Sequence, residues 1–173
     1  AYLDYSLAGV DKATSPRMIK HLDWLEENAF VEFFCCIVTY DVYYIGNNEL
    51  AAMHMWLARH EWKKAWMAAK AFRRYVLTPD LFLTQERYAA NEPAFTAWQP
   101  NASNNGRFAD LQFYRLFLEL EDEIILYGGF SPLELKNCPG FQNMHTKFGL
   151  TSIQISSEGT VTVNTQKTIP KRK

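Results

Sequence analysis

The sequence carries no signature that announces a chemistry. Its 173 residues include three cysteines and four histidines. Cys35 and Cys36 are neighbours that cannot easily bridge each other, Cys138 stands alone, and no CxxC pair exists to grip zinc. Three thiols without a framework fit a reducing compartment or a virion better than a secreted, disulfide-stapled domain. His21, His54, His60 and His145 have no HExxH spacing. No Glu is followed three residues later by His, the pattern a helical di-iron bundle requires. Gly128-Gly129 lacks either glycine-rich nucleotide signature and reads as a helix stop. Gly129-Phe130-Ser131-Pro132 begins like a nucleophile elbow and fails at its last position. Cys138 and His145 lie seven residues apart, but catalytic pairs are set by the fold and not by nearness in sequence. The chain is therefore expected to be no enzyme and to hold neither metal nor cofactor.

An excess of one charge is missing too. Eighteen Lys and Arg face nineteen Asp and Glu, for a net charge of −1, so no long-range field favours or repels nucleic acid. A membrane-length apolar run is also absent. The longest candidate, residues 30–45, is interrupted by Glu32, Thr39 and Asp41 and falls short of the roughly 20 residues that cross a bilayer. No membrane span is expected. The N-terminus lacks the basic, apolar, small-residue order of a secretory signal. A start at Ala1 fits removal of an initiator Met and cleavage of a leader equally well.

What the chain does have is aromatic residues, at 15%, including five Trp, nine Tyr and twelve Phe. They imply large anchoring surfaces in a core or against partners. The most organised stretch runs from Asn48 to Leu77. Steps of four and three give Ala51, Met55, Ala58, Trp62, Ala65, Ala69, Phe72 and Val76, all apolar, which is the seam of one long helix. Asn47 or Asn48 can cap it, and Thr78-Pro79 stops it.

The other elements fall around this helix. Residues 1–15 read as an apolar N-terminal arm. Ser15-Pro16 opens a helix with Met18, Leu22, Leu25 and Ala29 on one face. Residues 30–45 contain β-branched and aromatic residues that favour a strand. Asn28, Glu32 and Thr39 nevertheless follow a helical stripe, and Gly46 suits a C-terminal cap, so this run is predicted as a buried helix. It would form an antiparallel hairpin with the central helix. Thr78-Pro79-Asp80 begins a further capped segment anchored by Leu81, Phe82 and Leu83. Pro100 to Gly106 has loop composition. A third long helix is predicted from Arg107 to Tyr127. Ser131-Pro132-Leu133-Glu134 is a capping box, and Asn137-Cys138-Pro139-Gly140 is a turn.

The last element is a β-hairpin. Ile153, Ile155, Val161 and Val163 share one face only if Ile155 opposes Val161 and Ile153 opposes Val163. That register leaves Ser157-Glu158-Gly159 as a three-residue loop with left-handed Gly159. The expected architecture is mainly α. It consists of an arm (1–15), a helical domain (16–149) with a helical hairpin and a third long helix, and a C-terminal β-hairpin with a basic tail (150–173).

The candidate functional residues lie on the central helix. Arg59, Lys63, Lys64, Lys70, Arg73 and Arg74 stand against Glu61, the single acid between residues 59 and 74, with Trp56 and Trp66 among them. Cations with interleaved rings suit a nucleic-acid groove. They suit better a charge match, within the chain or between subunits, to Glu119, Glu121, Asp122 and Glu123 on the third helix, near a helix C-terminus that disfavours acids. Glu26-Glu27 reads as a solvated face. The function expected is that of a non-enzymatic assembly subunit, partnered by other protein subunits in a homo- or hetero-oligomer. A virus or phage particle is the favoured setting, as a connector or adaptor, with an accessory subunit of an organellar complex as the alternative. The hairpin residues Ile153, Ile155, Val161 and Val163 would bridge subunits. Nucleic-acid binding by the basic face is the rival reading.

Overall fold

The computed structural model describes residues 8–31, 34–37, 42–44, 49–75, 83–84, 87–89, 102–121, 123–138 and 140–168. Most of the N-terminal arm, the end of the seam at Val76, the Thr78-Pro79-Asp80 segment and the basic tail lie outside them. The chain divides into two compact units, Ala1–Gly129 and Phe130–Lys173. The fold is mixed α/β and not mainly α: the described residues form five helices and nine short strands, every strand pair antiparallel.

In the first unit, α1 spans Pro16–Asn28. The Ser15 hydroxyl accepts the Met18 N–H at 3.3 Å, as a cap should. Met18, Leu22 and Leu25 face the core. The chain then turns into β1 (Phe30–Val31), β2 (Phe34–Ile37) and β3 (Val42–Tyr44), where a buried helix was predicted. Val, Ile, Phe and Tyr lose rotamer freedom in a helix and pack readily on a pleated surface. That preference outweighs a helical stripe of only three polar residues. A distant strand, β4 (Arg87–Ala89), completes the sheet in the order β1-β2-β3-β4, and periodicity within 30–45 could not reveal it.

The predicted helix of residues 48–77 is two helices, α2 (Glu49–Ala58) and α3 (Trp62–Tyr75). The break is a well-formed helix stop. His60 adopts φ +60°. Its N–H bonds the Leu57 carbonyl at 3.0 Å, and the Glu61 N–H bonds the Trp56 carbonyl at 2.8 Å. This is the paired closure of a Schellman motif, with histidine where glycine usually sits. The Glu61 carbonyl then accepts Ala65 N–H and starts α3. The seam keeps its burial on both sides of the stop, at Ala51, Met55, Ala58, Ala65, Ala69 and Phe72. Trp62, the first residue after the corner, is 39% exposed. The expected hairpin between residues 30–45 and the central helix does not exist; the helical pair lies within the central stretch.

The third helix is displaced as well. α4 spans Ala102–Leu116, starting inside the predicted loop and ending well before Tyr127. Tertiary contacts hold its first turns. Phe108 stacks on Phe72 at 5.4 Å, and Asn105 Oδ1 accepts both the Thr84 N–H (2.8 Å) and its hydroxyl (2.7 Å). Beyond Leu116 the chain folds into a hairpin of β5 (Phe117–Glu119) and β6 (Ile124–Leu126), with Leu118 opposite Ile125. Of the acids expected on a helix, Glu119 ends β5 and Glu121 and Glu123 lie in the connection to β6, which removes their conflict with a helix C-terminus.

In the second unit, α5 (Pro132–Lys136) has the predicted capping box: Glu134 N–H to Ser131 Oγ at 3.2 Å, and Ser131 N–H to Glu134 Oε2 at 2.8 Å. β7 (Gly140–Thr146), β8 (Gly149–Ile155) and β9 (Val161–Thr165) form a sheet in that order. The register is the predicted one, Ile153 opposite Val163 and Ile155 opposite Val161, with Gly159 at φ +83° in the loop. The hairpin is not isolated, because β7 adds a third strand. That strand begins at a glycine for a steric reason. A Cβ on Gly140 would lie 1.9 Å from the Ile153 carbonyl oxygen.

Candidate interaction surfaces

The corner between α2 and α3 gathers a cluster of polar contacts of the first unit. Trp56 is almost fully buried, and its indole N–H donates to Glu26 Oε1. Lys64 Nζ donates to Glu26 Oε2 and also pairs with Glu61, both at 2.7 Å. Burial pulls the Lys64 pKa down, but the hydrogen bonds to Glu26 and Glu61 outweigh it and raise the value. Arg59 pairs with Asp23 at 3.1 Å and with Glu61 at 2.7 Å. Across the corner, His60 stacks on Trp62 at 4.9 Å, and its Nε2 meets Glu123 at 3.0 Å.

The acids that meet Arg59 and Lys64 thus come from α1 and from Glu61. Of the four acids offered for that match, Glu123 instead meets His60 and Glu121 meets Lys12 at 2.5 Å. Glu26 is no solvated carboxylate; it joins the core tryptophan to the basic helix. Asp23 and Glu26 sit three apart on α1, on one helical face. That spacing was visible, but nothing in it named the partner.

The remaining predicted cations lie on the outer side of α3. Lys63, Lys70, Arg73 and Arg74 are exposed, and Lys70 Nζ stands 5.7 Å from the centroid of the Trp66 ring. The opposite side, Ala65, Ala68, Ala69 and Phe72, is buried. The structure therefore divides the eight candidates. Trp56, Arg59 and Lys64 belong to the corner, whereas Lys63, Trp66, Lys70, Arg73 and Arg74 belong to the outer face.

In the second unit the two outer strands differ. β7 is bulged between Phe141 and Met144, with Asn143 at φ +56° and its N–H on Ser152 Oγ at 3.0 Å. A bulge twists an edge away from further pairing. β9 is regular, uncharged and free of proline. Ser156 N–H bonds the Thr160 carbonyl at 3.0 Å. Antiparallel alternation then turns the backbone groups of Thr162 and Asn164 toward β8, and those of Val161, Val163 and Thr165 outward. Of the four hairpin residues, Ile153 is buried, Ile155 and Val163 are half-buried and Val161 is 46% exposed. A hollow of about 590 Å³ lies over the same unit, lined among others by Phe141, Ile153, Ile155 and Thr162. None of its lining residues is ionisable, so it offers a shape but no acid or base.

One titratable group is deep in the core. His54 on α2 packs edge-on to Tyr114 at 5.6 Å, its Nδ1 has no hydrogen-bond partner, and burial lowers its pKa to about 4. It is a neutral core histidine. Among the described residues no group of three His, Cys, Asp or Glu side chains is placed to hold a metal ion, and no helix is long and apolar enough to cross a membrane. Comparison with protein-family models, with curated proteins and with solved structures finds no match for this chain.

Proposed function

We propose that this protein is a non-enzymatic assembly subunit whose copies join through the C-terminal sheet. The observation that carries the reading is the outer edge of β9, a regular strand whose backbone groups at Val161, Val163 and Thr165 point away from its own sheet. An exposed edge of this kind is a template for another strand. Its sequence, Val-Thr-Val-Asn-Thr, contains nothing that repels a second copy. Paired antiparallel about Val163, two copies place Val163 against Val163, and Val161 against Thr165, with no charge opposed. Two three-stranded sheets would then run on as one. A particle built of repeated copies, of the virus or phage kind, is the setting that suits such an edge.

The test is the native mass of the full chain and of Val161→Pro. Proline at the first residue of an edge strand is tolerated by the fold and removes an outward N–H. The full chain is expected at twice its 20.1 kDa mass or more, and the variant at 20.1 kDa with an unchanged circular dichroism spectrum. A wild-type chain that stays at 20.1 kDa at high micromolar concentration overturns the reading.

A further inference from the structure

We infer that the outer face of α3 is a docking surface for the phosphate backbone of duplex DNA, carried by Lys63, Lys70 and Arg73. The chain as a whole is balanced in charge, yet the fourteen residues of α3 contain five cations and no acid. The structure shows which of these are compensated. Lys64 turns inward to Glu26 and Glu61, whereas Lys63, Lys70 and Arg73 are exposed and have no ion-pair partner among the described residues. At 1.5 Å per residue, Lys63 and Lys70 are about 10 Å apart along the axis, with Arg73 about 5 Å further on. The three cations therefore follow the helix for about 15 Å, a rigid line of positive charge that complements a phosphate backbone.

Other anionic partners fit less well. A lipid surface needs the apolar face of an amphipathic helix, and that face is spent here on the core through Ala65, Ala68, Ala69 and Phe72. A protein partner needs an apolar or aromatic centre, but the apolar groups here are scattered: Met67 is 38% exposed, Trp62 is 39% exposed and already stacked on His60, and the Lys70 ammonium stands over the Trp66 ring. One face of the Trp66 ring already carries the Lys70 ammonium, which an unpaired base would have to displace to stack there. The exposed face of a helix reaches the phosphates that line the wide major groove of B-form DNA, whereas the major groove of A-form RNA is too deep and narrow for side chains to read.

The test is fluorescence anisotropy of a labelled random-sequence DNA duplex with the full chain and with the Lys63→Ala/Lys70→Ala/Arg73→Ala variant. Three phosphate contacts give a slope of about −2.7 for log affinity against log salt, roughly a 40-fold weakening between about 50 and about 200 mM. The wild-type chain is expected to follow that slope. The triple variant is expected to bind at least roughly tenfold more weakly at low salt, with an unchanged melting temperature. Three results overturn the inference: no duplex binding at low salt, a triple variant that binds as the wild type does, or stronger variant-sensitive binding to duplex RNA, anionic vesicles or polyglutamate.

Discussion

The two helices that meet at His60 spend their residues in opposite ways. Every residue of α2 from Leu50 to Ala58 is buried, including Trp56 and His54. α3 buries a narrow alanine-rich strip and one phenylalanine, and gives the rest of its surface to cations and to Trp62, Trp66 and Met67. A helix that is apolar all round has no face left for a partner, whereas a one-sided helix does. Buried apolar surface is therefore concentrated in α2, and the surfaces proposed to bind partners lie on α3 and in the second unit.

The contrast can be broken most severely from inside α2. Leu57 is fully buried, so Leu57→Ala removes apolar contacts and leaves a cavity. A loss of about 2–5 kcal/mol is expected in a urea titration. The matching change on α3, Lys70→Ala, is expected to stay within about 0.5 kcal/mol. Equal losses would mean that the two helices do not differ as described.

His54 gives the next largest effect, and it depends on pH. Its folded pKa, about 4, lies below the ordinary 6.5 because burial disfavours the cation. The unfolded chain therefore binds a proton first as the pH falls. The associated stability is complete above about pH 6.5 and declines by roughly 3 kcal/mol by about pH 4. Carboxylates titrate over part of this range, so the readout is the difference between wild type and His54→Leu. The variant is expected to lack that share of the decline. Parallel pH profiles would place His54 in contact with solvent.

The joint between the helices sharpens the comparison with a smaller effect. Glu26→Ala removes the carboxylate that accepts the buried Trp56 N–H and leaves Lys64 with Glu61 as its acid, and is expected to cost about 1–3 kcal/mol. Glu26→Gln keeps an acceptor for the indole and loses only a partly exposed ion pair, so about 1 kcal/mol or less is expected. Equal costs in the two variants would show that the charge, and not the indole hydrogen bond, holds the corner.

Local signals were legible in the sequence wherever the partner was also local. Ser15 and Ser131 cap the helices their spacing indicates, because a cap is settled within four residues. The β8–β9 register followed from Ile153, Ile155, Val161 and Val163 together with one glycine. The seam from Ala51 to Phe72 marked burial at every position but Trp62, and it did not mark the break in continuity. A helix stop at His60, with no glycine or proline, leaves no compositional trace. The sheet of residues 30–44 depends on β4, far along the chain, and the early start of α4 depends on Thr84 and Phe72. Such contacts are invisible to a reading by period. Of the interaction surfaces, the presence of cations at 59–74 was legible. Their division between Glu26 and open solvent was not, because it is decided by how α1 lies against the corner.

Amide hydrogen exchange at Val163 tests assembly through β9 most directly. Its N–H points away from β8, and among the described residues no strand of the same chain lies on that side to protect it. If copies join through β9, the Val163 amide should be protected at high protein concentration, exchange faster on dilution, and lose protection in Val161→Pro. Rapid exchange of the Val163 amide at every concentration would contradict assembly through this edge.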